Sequence, residues 1–303
     1  PAAEKGCPRP DLYAVAFQEI VDLSAANVIS HDASLARTEE WAELILMTLN
    51  AVSSGQSDRY ELVLTKNLVG ISIVVLALSR HMAHVREVKG QTTPVGILGV
   101  VGNKGAAAVR LSFYDSSFCF VSTHLAAHRA NLEGRNADFA NIVSRTRFRE
   151  DEAKYGRDAA DPSSVDDEDG SLMGILDHDF VFWLGDLNYR IQSSVTLQEC
   201  YRELRRKNLQ YLLSKDQLNS ERSARRVFQD FAEAPITFFP TYKFIPGTDR
   251  YDDREDKKMR VPAWCDRILW RARRENSVRQ SFYSSSNSLR ISDHKPVMAL
   301  FST

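Results

Sequence analysis

Several absences narrow what this chain can be. Its four cysteines, Cys7, Cys119, Cys200 and Cys265, are scattered and form no C-x-x-C pair. That pattern suits neither a structural zinc site nor a disulfide framework, and it points to a reducing, cytosolic setting. Neither sign of charge is in excess: 39 Lys and Arg stand against 40 Asp and Glu, for a formal net charge of -1. A dedicated nucleic-acid binder carries a clear basic surplus, so nucleic acid is not an expected partner. No apolar run reaches the length of a membrane span, and Val69–Leu78, bounded by charge, reads as a buried strand. No signal peptide or internal repeat is recognisable, and residue 1 reads as a boundary inside a larger protein.

What is present is a chain of 303 residues, 43% of them hydrophobic, enough for one α/β domain with a sizeable core. Short runs rich in β-branched and aromatic residues predict strands at Leu12–Phe17, Tyr60–Leu64, Gly70–Leu78, Val95–Val101, Ala106–Phe113, Phe118–Thr123, Asp179–Leu184, Ala263–Trp270 and Pro296–Phe301. Helical periodicity marks Glu39–Asn50, Leu132–Arg147, Thr196–Lys207 and Lys215–Arg222. Many consecutive strands with few helices between them exclude regular βαβ winding. Two packed mixed sheets flanked by helices, in the α+β manner, fit better. The acidic, apolar-poor stretch 149–170 is expected to be a mobile insertion without a role.

Five stretches end an apolar run in a chemically capable side chain. In F-W-L-G-D-L-N-Y-R, residues 182–190, a strand and a glycine are followed by Asp186 and Asn188. Alternation along an extended chain is expected to place these two on one side with Leu187 on the other, though a tight turn would use the same residues. P-A-W-C-D-R-I-L-W at 262–270 sets Asp266 inside an apolar strand, where a carboxylate needs a partner. I-S-D-H-K-P-V at 291–297 offers Asp293 and His294, a carboxylate beside a general acid–base group. A-F-Q-E-I at 16–20 carries Glu19, whose oxygens suit a hard cation, and V-S-T-H-L-A-A-H at 121–128 ends a strand in His124.

Taken in order, this set resembles the exonuclease–endonuclease–phosphatase superfamily, and specifically the catalytic domain of inositol polyphosphate 5-phosphatases of the type II and synaptojanin kind. The W-x-G-D-L-N-Y-R and P-A-W-C-D-R-I-L stretches carry the resemblance. G-N-K-G-A at 102–106, H-L-A-A-H at 124–128 and P-T-Y-K at 240–243 strengthen it, and it runs from about Asp11 to Ser302. It implies a DNase I-like four-layer sandwich and Mg²⁺-dependent removal of the 5-phosphate from phosphoinositides or soluble inositol polyphosphates, by in-line attack of an activated water.

Position by position, the resemblance implies Glu19 as a Mg²⁺ ligand and Asp293 as support for the metal site. Asp186 would orient or deprotonate water, with Asn188 helping to hold the phosphate. His294, paired with Asp266, would stabilise phosphoryl oxygens, and His124 would touch the phosphate. Lys104, His128, Arg190, Tyr242 and Lys243 would line the inositol phosphate pocket, and Lys258 with Arg260 would contact the neighbouring ring phosphate. The family's first strand, W-N-V-N, has no counterpart before Asp11 and is expected upstream of residue 1. A monomeric catalytic domain, cytoplasmic and peripherally attached to a membrane, is the implied setting, with Phe238, Phe239, Phe244 and Ile245 as candidates to dip into the bilayer.

Two rivals are set aside. Cys265 and Arg271 satisfy C-x-x-x-x-x-R, but so do Cys200 and Arg206, and neither run has the glycine-rich loop a cysteine-dependent phosphatase needs. A nuclease of the same superfamily would not be expected to carry P-T-Y-K or the W-C-D-R motif.

Overall fold

The computed structural model describes residues 9–21, 32–53, 55–96, 103–149, 172–254 and 259–303. The predicted upstream strand, the acidic insertion from residue 150 on, most of Val95–Val101 and Lys258 lie outside these residues.

Two sheets face each other. One has strands in the order β1 (Leu12–Phe17), β3 (Ile71–Leu78), β2 (Tyr60–Leu68), all antiparallel. The other runs β10 (Asp266–Ala272), β9 (Phe180–Asp186), β6 (Ser116–His124), β5 (Gly105–Phe113), β4 (Val85–Pro94), and its one parallel pair is β6 with β9. The expected mixed character thus belongs to the five-stranded sheet alone among the described residues. A hairpin of β11 (Arg279–Ser285) and β12 (Val297–Ser302) and a short pair, β7 (Arg147–Arg149) with β8 (Leu172–Gly174), complete the strands.

Strand alternation sorts the core into layers. Ile71, Ile73 and Val75 of β3 meet Ala107, Val109, Phe118, Phe120 and Phe182 of the larger sheet between the sheets. On the outer face of the smaller sheet, Val74, Leu76 and Leu78 pack against Ala42 of helix α1 (Asp32–Asn50). On the outer face of the larger one, Cys119, Val121, Val181 and Trp183 cover Phe139 and Ile142 of α2 (Leu132–Arg145). The result is a four-layer sandwich. Because β3 is central and covered on both faces, its sequence is a nearly unbroken apolar run, and each such buried side chain contributes roughly 1.5–3 kcal/mol.

The remaining helices, α3 (Leu197–Arg205), α4 (Leu209–Leu213) and α5 (Gln217–Ser223), lie between β9 and β10 in the chain. They begin on side-chain caps where the sequence supplies one: Thr196 accepts from the Glu199 amide and Asp216 from the Asn219 amide. Expected and observed elements differ in instructive places. The edge strand Val85–Pro94 was not expected, because its largely polar residues carry no apolar alternation, while the strand expected at Val95–Val101 falls mostly outside the described residues. The strand expected at Ala263–Trp270 begins only at Asp266, so Asp266 opens a strand rather than interrupting one. The half-exposed β11 and the short α4 carried no periodic signal.

Candidate active site

The register of the larger sheet builds the site. Gly105 pairs with His124, His124 with Asp186, and Asp186 with Asp266, so four strands contribute one row. Residues in one row project to one face, here the gap between the sheets at the end where β6 and β9 finish. Two glycines allow the backbones to close there. Gly105 has φ 147° and an added Cβ would lie 2.3 Å from the Thr93 carbonyl; Gly185 has φ 132° and would put one 2.2 Å from the Thr123 carbonyl.

Asp186 is held from three directions. Its Oδ1 accepts from the Asn188 backbone amide at 2.9 Å, and its Oδ2 accepts from the Asn188 side chain at 3.1 Å and lies 3.2 Å from His124 Nε2. Asn188 also donates to the Leu125 carbonyl at 3.1 Å. The contact between Asp186 and Asn188 arises from a turn with Asn188 at φ 55°, not from strand alternation, because β9 ends at Asp186. Turn chemistry and site chemistry are the same residues here.

On the other flank, His294 Nδ1 lies 3.1 and 2.9 Å from the two Asp266 oxygens. Thr241 donates to Asp266 Oδ2 at 2.6 Å. A bridge between Tyr242 and His294 brings their rings to 4.5 Å, and the Arg190 guanidinium lies 4.5 Å from the centre of the same tyrosine ring. Lys104 Nζ contacts His124 Nε2. Lys243 is 3.6 Å from buried Asp252, which Arg254 clasps through two bonds of 2.7 and 3.0 Å.

The electrostatics follow from these contacts. Burial raises the Asp186 carboxyl, but the His124 hydrogen bond and the charges of His124, His294 and Arg190 outweigh it and hold the group well below the usual carboxylate range. Burial pushes His294 down, yet the Asp266 carboxylate and its hydrogen bond, with Asp186 and Asp293 behind, raise it to about 9. Burial lowers Lys104 against the pull of Asp186 and Glu19. The arrangement sets the Asp186 carboxylate, with Arg190 and Lys104 nearby, against a His294 ring surrounded by Asp266, Asp186 and Asp293.

Glu19 takes φ 55° where β1 ends, its carboxylate is 61% exposed, and one oxygen hangs 3.9 Å from His124 Nε2. Gln18 beside it donates to Ser122 Oγ at 3.2 Å, tying the end of β1 to β6. Asp186, Asp266 and His294 bring one ligand atom each within 4.8 Å of one another. Glu19 and Asp293, the expected metal residues, are not part of that group; Asp293 acts electrostatically on His294, and its carbonyl accepts from the Phe244 amide at 2.8 Å. The donors at this mouth are carboxylate oxygens with a free one at Glu19, a set that fits a hard divalent cation.

Of the expected pocket residues, His128 lies on the loop after β6 at φ 76°, and Arg260 is partly exposed on the segment leading to β10. The expected membrane residues separate by packing. Phe238 and Phe244 are buried, Phe244 stacked on Tyr251 at 4.4 Å, so neither faces a bilayer; Phe239 is exposed and Ile245 half-buried. Burial drives the Cys265 thiol well above its ordinary range, which removes it as a nucleophile. Sequence reasoning missed Gln18, Thr241, Arg135 and Gln217. Thr241 stood inside the quoted P-T-Y-K stretch, whereas Arg135 and Gln217 carried no local signal.

Comparison with known proteins agrees with this geometry. A model of the Endonuclease/Exonuclease/phosphatase family 2 matches residues 4–300. The type II inositol 1,4,5-trisphosphate 5-phosphatase of Mus musculus is 38% identical over 292 residues, covering 96% of this chain and 26% of that protein. Inositol-1,4,5-trisphosphate 5-phosphatase 1 of Schizosaccharomyces pombe is also 38% identical, over 97% of this chain and 24% of its own length. The chain therefore spans about a quarter of these relatives. The solved inositol polyphosphate 5-phosphatase domain of SPsynaptojanin, in complex with inositol (1,4)-bisphosphate and calcium ion, superposes with a TM-score of 0.78 at 34% identity, over 99% of this chain and 78% of that one.

Proposed function

The chain belongs to the endonuclease/exonuclease/phosphatase family, in its inositol polyphosphate 5-phosphatase branch, and from that premise we propose that it hydrolyses the 5-phosphate of phosphoinositides such as phosphatidylinositol 4,5-bisphosphate and 3,4,5-trisphosphate, and of soluble inositol polyphosphates. One observation carries the reading: Asp186, fixed in a row with His124 and Asp266, brings an oxygen within 4.8 Å of the His294 ring that Asp266 holds, with Lys104 and Arg190 at the same mouth. Phosphate-monoester hydrolysis is so slow that enzymes accelerate it up to roughly 10²¹-fold, and such a reaction depends on charge stabilisation and positioning.

Mg²⁺, held through Glu19 with Asp293 in support, would neutralise charge on the phosphoryl oxygens when bound. The side chains divide the rest. Asp186, a weak base because its carboxylate is stabilised, orients the attacking water by accepting its hydrogen bond. His294 donates to a phosphoryl oxygen, and Asp266 with Thr241 behind it fixes the ring. Lys104, His124 and Asn188 surround the reacting phosphate, while Arg190, His128, Tyr242, Lys243, Lys258 and Arg260 grip the ring and its other phosphates, where guanidinium and ammonium groups give selectivity.

With lipid substrates the mouth meets a bilayer, and the protein is peripheral and cytoplasmic in this reading. Phe239 and Ile245 are the candidates to touch lipid, and replacing both by Ser should lower turnover on vesicles while sparing soluble substrates.

The deciding assay follows phosphate release with Mg²⁺ from phosphatidylinositol 4,5-bisphosphate vesicles, phosphatidylinositol 4-phosphate vesicles, inositol 1,4,5-trisphosphate and a DNA duplex, with Asp186→Ala as control. Release from the 5-phosphorylated substrates alone, lost in the variant, supports the proposal. Cleavage of DNA, or release from the 4-phosphate, overturns it.

A further inference from the structure

Two loops carry groups that face substrate in the reading above, 124–129 and 186–191, and both are held from behind by Gln217, the buried first residue of α5. Its Oε1 accepts from the Arg190 backbone amide at 2.9 Å and from Arg135 Nη2 at 2.7 Å, and its Nε2 donates to the Arg129 carbonyl at 3.0 Å. Its own backbone amide donates to the Arg190 carbonyl at 2.8 Å, so Arg190 is fixed at both main-chain groups.

Arg135, fully buried on α2, extends the grip. It donates to the carbonyls of Ala126 at 3.1 Å and His128 at 2.7 Å, with a longer bond of 3.4 Å to Arg129. One turn on, Asp138 accepts from the Ala126 amide at 2.8 Å. The left-handed backbone of His128 thereby has a donor behind it that over-determines its conformation. The start of α5 is itself anchored, because Asp216 is paired with buried Arg267 at 3.0 Å.

From Arg190 the chain of bonds continues into the site. Its guanidinium donates to the Asn188 carbonyl at 3.1 Å and contacts the Asn188 amide oxygen, and Asn188 donates to Asp186. Arg190 thus locks the Asn188 amide so that its nitrogen, not its oxygen, points at Asp186. We propose that Gln217 is a positioning residue for the reaction proposed above, on which this inference rests: with Arg135 it clamps the two loops together and sets Arg190, and through Arg190 and Asn188 the direction of the Asp186 carboxylate. Misplacing reacting groups by about 1 Å costs on the order of 10²-fold in rate, so a clamp separated from Asp186 by Arg190 and Asn188 is felt in turnover.

The test uses the near-isosteric apolar variant Gln217→Met and the acceptor-retaining Gln217→Glu, with two readouts. With inositol 1,4,5-trisphosphate, Gln217→Met should lower kcat at least about tenfold and more than it raises KM, and Gln217→Glu, which keeps the Arg190 and Arg135 bonds but has no donor for the Arg129 carbonyl, should recover part of the loss. Hydrogen exchange at the Arg190 amide should accelerate at least about tenfold in Gln217→Met, with the amides of β5 and β6 unchanged, and return to the parent rate in Gln217→Glu. Unchanged kcat and unchanged exchange in folded Gln217→Met overturn the proposal, as does a Gln217→Glu variant as impaired as Gln217→Met at equal thermal stability. Should Gln217→Met not fold, Arg135→Lys, which keeps the charge but loses the planar fork, makes the same test from the other side of the clamp. A parent protein that shows the exchange pattern but releases no phosphate would count against the activity, leaving the clamp intact.

Discussion

Asp186 and Asp266 stand directly opposite each other on the antiparallel strands β9 and β10. Like charges so placed repel, and each carboxylate is stabilised by its own partners: Asp186 by His124 and Asn188, Asp266 by His294 and Thr241. The division gives different surroundings to two chemically identical groups, one buried against His124 and Asn188 and one holding the His294 ring.

Asp266→Asn separates the two roles. It removes the charge that keeps His294 protonated, so kcat should fall by roughly 10²-fold or more. Stability should change by less than about 1 kcal/mol, since the repulsion from Asp186 disappears along with the ion pair. Phosphate release and urea denaturation measure both, and a kcat within a few-fold of the parent would remove the pair from the mechanism.

Arg267 is the next residue along β10 and points to the opposite face, fully buried. It bonds Asp216 at 3.0 Å, Glu233 at 2.6 and 2.7 Å and Asn219 at 3.1 Å. Arg267→Met leaves buried Asp216 without its cation and Glu233 with only Arg222 at 3.2 Å, and should cost about 3–5 kcal/mol in denaturant unfolding. A loss under about 1 kcal/mol would contradict that account.

Gly185→Ala should be far costlier than Gly247→Ala. The first forces a Cβ to within 2.2 Å of the Thr123 carbonyl, whereas at Gly247, φ 83°, an added Cβ meets nothing within 4 Å. The second should cost only the left-handed backbone penalty of about 1–2 kcal/mol. Equal melting temperatures for the two variants would refute the packing argument.

Burial lowers the proton affinity of His178, despite the hydrogen bond between its Nδ1 and the Ile175 carbonyl. The folded protein keeps this ring neutral while the unfolded chain protonates it near pH 6.5. Its contribution to stability is therefore present above that pH and is lost as pH falls from there toward the lower folded value. His178→Asn, which retains a donor for Ile175, should flatten the decline of the melting temperature between about pH 7 and pH 5. An identical slope in the two proteins would be the contrary result.

Glu19 offers the exposed carboxylate at the mouth. Glu19→Gln should raise the Mg²⁺ concentration for half-maximal phosphate release by about tenfold or more without altering thermal stability in chelator. Activity that survives EDTA would argue against a metal in the reaction.

How much was legible depended on distance along the chain. Chemistry within a short motif was readable: the acid and amide of 186–188, the aspartate of 262–270 and the histidine of 291–297 all reach one mouth. So was the strand character of β3, β5, β6 and β9, whose apolar runs are covered on both faces, and of the half-buried β1. Two strands were not. β4 is largely polar, with Arg86 and Glu87 exposed, and β11 exposes Arg279, Ser281 and Phe282, so periodicity fails where apolar burial is incomplete.

The sequence by itself determined the apolar strands and the longer helices, the fold family and the residue types able to perform phosphate chemistry, because these depend on local pattern and side-chain identity. Only the tertiary structure decided that Gly105, His124, Asp186 and Asp266 share one row, that Asp266 faces the site while its neighbour Arg267 anchors the core, and that Phe244 is packed rather than presented. It alone brought Arg135 to Gln217, 82 positions away. Strand register and loop docking set such relationships, and neither leaves a periodic trace in the residues that meet.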